Sequence, residues 1–104
     1  MRDSFRSNCP VSCALDLIGD KWTLVIIRDM LMFGKETFKD FSESGEKIAT
    51  NILSSRLKTL EERKIVSKHK SAENKRVNIY RLTEKGIALL PVILELVQWS
   101  RNNV

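Results

Sequence analysis

The sequence predicts a mainly α-helical domain with one small β-hairpin placed before its last helix. Three observations carry this expectation. Apolar residues recur at helical spacing from Val11 to Leu60, the period shortens to two between Ile65 and Leu82, and a helical, strongly apolar pattern resumes from Ile87 to Trp99. The chain has 104 residues, room for one domain and little else. The expected division is a flexible polar segment over 1–8 and a single domain over 9–104, with no linker, repeat or low-complexity stretch between.

The elements follow in order. Pro10 suits the first turn of a helix, where its missing amide costs nothing, and Val11, Leu15 and Ile18 then fall on one stripe before Gly19 ends the element. Asp20 is placed to cap a second helix that runs to about Met32 and closes at Gly34. Trp22, Leu24, Val25, Ile26, Ile27, Met30 and Leu31 surround most of that helix, which predicts a central, buried position. Thr37 caps a short third helix with Phe38 and Phe41 facing inward, and Ser44-Gly45-Glu46 forms the following turn. A fourth helix over about Thr50 to Arg63 turns Leu53, Leu57 and Leu60 to the core.

Ile65 to Lys70 and Val77 to Leu82 then form two strands around a polar turn, Ser71 to Arg76. In the second strand Val77, Ile79 and Arg81 share one face, and Asn78, Tyr80 and Leu82 the other. Thr83 and Glu84 open a last helix, with Pro91 inside it and expected to kink it. Helices followed by a two-stranded hairpin and one more helix describe a winged helix-turn-helix.

Charge points to a polyanionic partner. The formal balance is +5, and residues 56–85 hold ten of the 18 basic residues against four acids. The rest of the chain is therefore nearly neutral. Positive charge concentrated over one helix, one turn and one hairpin favours double-stranded DNA as the partner.

Other classes are poorly served. Cys9 and Cys13 are too few for a disulfide scaffold, and one histidine, His69, leaves too few ligands for a tetrahedral zinc site, so neither metal nor cofactor is expected. There is no Gly-rich phosphate loop, and a cysteine-histidine pair would rest on a strand histidine, so an enzyme is not expected. No apolar run approaches the roughly eighteen residues of a membrane span, and no secretory segment follows Met1, so a cytoplasmic location is expected.

Several ordered segments also resemble a known family. Cys9-Pro10-Val11, Ala14 to Leu24 (ALDLIGDKWTL), Phe38, Leu53 to Glu61 (LSSRLKTLE), Tyr80 to Gly86 (YRLTEKG) and Leu89 to Val92 (LLPV) together resemble the HxlR-type regulators, a branch of the MarR-like winged-helix proteins. The resemblance spans about residues 9–100 and implies a DNA-binding homodimer that pairs through its terminal helices.

The fourth helix is the expected reading helix. With its leucines inward, a step of about 100° per residue turns Asn51, Ser55, Lys58, Thr59 and Glu62 outward, with Ser54 and Arg56 on the flanks. Asn51 and Ser55 suit base edges, Arg56 could address guanine if it swings outward, and Lys58 and Thr50 suit phosphates. Small, hydroxyl-bearing side chains distinguish this face from an ordinary solvated one. Asn74, Lys75 and Arg76 at the hairpin tip form the second expected contact.

The last helix is apolar over more of its circumference than a small domain can cover. Val11, Leu15, Leu90, Ile93, Leu94, Val97 and Trp99 are the expected dimer interface, and a twofold dimer requires an inverted-repeat operator. Cys9, beside a helix N-terminus, is a candidate reactive thiol. By resemblance it matches the cysteine that senses oxidants or electrophiles in some HxlR-type proteins, whereas Cys13 departs from the usual pattern. The competing readings are a winged helix that binds protein without DNA, and a thiol switch.

Overall fold

A computed structural model describes residues 8–104, so nearly all of the expected flexible segment 1–8 lies outside the described residues. Six helices and two strands follow in the order α1 (Pro10–Ile18), α2 (Lys21–Phe33), α3 (Phe38–Ser42), α4 (Thr50–Glu62), β1 (Val66–Lys70), β2 (Asn78–Leu82), α5 (Glu84–Ile87) and α6 (Leu90–Asn103). The expected helix starts have local causes. Asp20 accepts the amide of Thr23, and Thr37 and Asp40 form a reciprocal capping box. Gly34 closes α2 in the left-handed region at φ 64°.

α2 packs against both α4 and α6, and α4 also meets α3 and β1. The core joins Ile26, Ile27 and Met30 of α2 to Phe41, Leu53, Leu57, Leu60, Ile65, Val66 and Ile93. Trp22, Leu24, Val25 and Leu31 are only half-buried, so the helix is less completely enclosed than its composition predicts. Burial also reaches Asp29, whose carboxylate is held by Arg28 at 2.8 Å.

The hairpin pairs Val66 with Leu82 and Lys70 with Asn78 in antiparallel register. Alternation along β2 is as expected: Tyr80 and Leu82 pack toward the core, Tyr80 edge-on to Phe41 with ring centroids 6.4 Å apart. The loop before α3 joins this sheet through Glu36, whose carbonyl accepts the Tyr80 amide at 2.7 Å and whose carboxylate pairs with Arg81 at 3.7 Å.

The last helix departs from expectation. α5 ends at Ile87, and α6 begins at Leu90 with Pro91 in its first turn. Pro91 therefore starts a helix instead of kinking one, because its missing amide falls where no intrahelical bond is needed.

Candidate nucleic-acid interface

α4 presents a continuous outer face. Thr50, Asn51, Ser54, Ser55 and Lys58 are all exposed, while Leu53, Leu57 and Leu60 are buried beneath them. The start of this helix differs from that of α2, α3 and α5. Those three carry capping side chains from Asp20, Thr37 and Thr83, whereas the residue before α4 is Ala49, which supplies none. Among the described residues the first amides of α4, like those of α6, therefore lack a side-chain acceptor at the end of the helix where positive potential is greatest.

The hairpin tip is exposed at Asn74, Lys75 and Arg76. It is also ordered by its own side chains. Ser71 Oγ accepts the amides of Glu73 and Asn74, and Asn74 Oδ1 accepts the Arg76 amide at 3.0 Å. Asn74 thus shapes the turn that carries the two cations. Between this tip and α3 runs a groove of about 760 Å³, lined by Thr37, Phe38, Lys39, Ser42, Arg76 and Tyr80 among others. Lys39 and Ser42 were not singled out from sequence, since only their position opposite the hairpin brings them to this face.

Arg56 has partners within the chain: its Nε donates to Asp20 Oδ2 at 2.8 Å, at the start of α2, and its Nη1 donates to Ser55 Oγ at 3.4 Å. Partial burial alone would raise the Asp20 pKa, but hydrogen bonds from Thr23 and Arg56 and the Arg56 charge outweigh it and leave it lowered. Asp20 therefore does two jobs, capping α2 and holding α4. The cap was legible in the sequence; the second role joins residues 36 positions apart and was not.

The HxlR-like helix-turn-helix family model matches residues 17–104. The chain belongs to that family. YodB of Bacillus subtilis (strain 168), an HTH-type transcriptional regulator, is 39% identical over 93 residues, covering 88% of this chain and 82% of YodB. The structure of PA1607 superposes with a TM-score of 0.86 at 36% identity, covering 94% of this chain and 67% of that one. The redox regulator HypR in its oxidised form superposes at 0.80 and 32% identity, covering 92% and 98%. YodB has also been crystallised bound to quinone, at 33% identity, TM-score 0.68 and coverage of 90% and 98%. This HxlR-like chain is thus a transcriptional regulator of the helix-turn-helix type with a winged-helix fold.

The terminal helices of this HxlR-like protein leave much apolar surface uncovered. Val11 and Leu15 on α1, and Leu90, Leu94 and Trp99 on α6, are exposed, Trp99 at 63%. Val97 is half-buried. Ile93 is not available to a partner: at 4% exposure it belongs to the chain's own core, because it points toward α2 while Leu94 points away. Val92 and Leu96, absent from the expected interface, add to the exposed surface.

Cys9 is exposed and forms the N-cap of α1. The Ser12 amide, and then the Val11 amide, lower its thiol pKa by favouring the thiolate. The family match begins at residue 17, so Cys9 lies ahead of it. Cys13 is half-buried one turn further on. Among the described residues no group of three or more His, Cys, Asp or Glu is placed to hold a metal. No helix among them is long and apolar enough to cross a membrane.

Proposed function

We propose that this regulator is a homodimer that reads an inverted-repeat DNA operator and loses or changes that binding when Cys9 is modified. The observation that carries the DNA reading is the exposed row Thr50, Asn51, Ser54, Ser55 and Lys58 on a helix whose first amides have no side-chain cap. A phosphate beside Thr50 would complete that cap, and Asn51 and Ser55 would then lie over base edges. Lys58 and the hairpin cations Lys75 and Arg76 would neutralise phosphates on either side.

Two copies follow from the exposed apolar face of α1 and α6. Val11, Leu15, Leu90, Leu94 and Trp99, with the half-buried Val97, would lose water in a twofold pairing and set two reading helices about one DNA turn apart. Such a protein works where its DNA is, in the cytoplasm, and needs no catalytic apparatus. Cys9 is the group through which a signal enters. Its thiolate is favoured, it is open to solvent, and the similar HypR and YodB have been characterised in oxidised and quinone-bound forms.

Selection from a random duplex pool at two salt concentrations tests the reading. Recovery of an inverted repeat, lost with Asn51→Ala and Ser55→Ala, is the expected result. Uniform recovery, or no retention at low salt, overturns it.

A further inference from the structure

Arg56 of α4 and Arg63, the residue that caps its C-terminal end, reach back to the corner between α1 and α2. Arg56 Nε donates to the Asp20 carboxylate at 2.8 Å, and Arg63 Nη1 donates to the Leu17 carbonyl at the C-terminal end of α1. Both side chains are partly buried, and Arg56 Nη1 also donates to Ser55 Oγ at 3.4 Å, so the guanidinium lies between Asp20 and the outward row of Asn51, Ser55 and Lys58. The Arg63 carbonyl in turn accepts Lys85 Nζ at 2.9 Å, which ties the end of the same helix to α5. The apolar stripe of Leu53, Leu57 and Leu60 fixes how deep α4 sits. Those packed leucines set the gross rotation of the helix, and the two directed bonds at residues 56 and 63 trim its final angle.

We infer that Arg56 and Arg63 are positioning residues for DNA reading: they clamp α4 to the α1–α2 corner and set the angle at which Asn51 and Ser55 meet the groove. A basic residue on a reading helix ordinarily suggests a phosphate or guanine contact, whereas the bond to Asp20 gives Arg56 a use within the chain. The clamp also makes the pose of α4 depend on α1, whose other end carries Cys9. A shift of α1 on modification of Cys9 would therefore reach the reading helix through Leu17 and Asp20. This inference rests on the DNA-reading proposal above.

The test is a double-mutant cycle on the operator recovered by selection, with Asp20→Asn, Arg56→Gln and their combination. Asn at position 20 keeps an oxygen for the Thr23 amide, which shares Oδ2 with Arg56, and so preserves the cap of α2 while removing the charge that holds the guanidinium. Each single change is expected to weaken operator binding about fivefold, the double change no further, with the salt slope of wild type. A slope reduced by about 0.9 for Arg56→Gln, with Asp20→Asn behaving as wild type, would show Arg56 on a phosphate and overturn the inference. Unchanged binding in both single variants would overturn it equally. Failure to recover any operator would instead strike the DNA-reading proposal, so the two failures are distinct.

Discussion

Gly86 of α5 lies against the carbonyl oxygen of Ile65, so close that a methyl group on its Cα would stand only 2.4 Å from that oxygen and 2.8 Å from the Leu82 side chain. The contact fixes α5 across the entry to the hairpin, where Thr83 Oγ1 also donates to the Lys64 carbonyl at 2.6 Å. In a free helix, alanine in place of glycine is favourable by about 0.8–1 kcal/mol. At this position the clash is with backbone and reverses the sign. Gly86→Ala is expected to destabilise the protein by about 1–3 kcal/mol, read from urea unfolding. A neutral or stabilising result would mean that α5 slides freely over the strand.

Acid stability follows from the box that starts α3. The Glu36 amide, donating to Asp40 Oδ2 at 3.1 Å, is the largest cause of a lowered carboxyl pKa; partial burial opposes it, and Thr37 and Lys35 reinforce it. A carboxyl depressed on folding binds more protons in the unfolded chain. Its contribution is therefore complete above the unfolded value of about 3.9 and is lost as pH falls through the lower folded one. Asp20 has the same sign. Unfolding free energy should be flat near neutrality and fall below about pH 4, with a shallower fall in Asp40→Asn. An equal acid slope in both proteins would remove Asp40 from the account.

The two cysteines should separate by rate. Cys9 is exposed at an N-cap with its thiolate favoured by the Ser12 and Val11 amides, while Cys13 is half-buried inside the same helix. Alkylation followed by peptide mass spectrometry at neutral pH should label Cys9 first, with a rate midpoint below the ordinary thiol value of about 8.5. Equal rates at the two sites would leave no privileged thiol and weaken the signalling proposal.

What the sequence made legible was mostly local. Asp20, Thr37 and Gly34 announce helix ends by bonds that span three to five residues, and all three stand where expected. The direction of Arg56 was not legible, because its partner is distant in sequence and a basic side chain on a reading helix has two plausible uses. The break before α6 was equally hidden: Ala88 and Leu89 carry no breaking residue, and Pro91 is compatible with either a kink or a first turn. Which side of α6 faces inward was ambiguous for another reason. A helix apolar on nearly every side has no period to read.

That ambiguity makes adjacent residues on α6 the sharpest test of assembly. Ile93 is buried against the chain's own core, while Leu94, one position on, is 49% exposed. Ile93→Ala should cost about 2–5 kcal/mol through lost contacts and a residual cavity, whatever the oligomeric state. Leu94→Glu should leave the fold intact but place a charge in the proposed interface, where it would be desolvated without a partner. Sedimentation equilibrium is then expected to give a monomer for Leu94→Glu, and its melting temperature should no longer rise with protein concentration as that of a dimer does. A dimer that persists with Leu94→Glu would move the interface off this face of α6 and leave Val11 and Leu15 of α1 as the surface to test next.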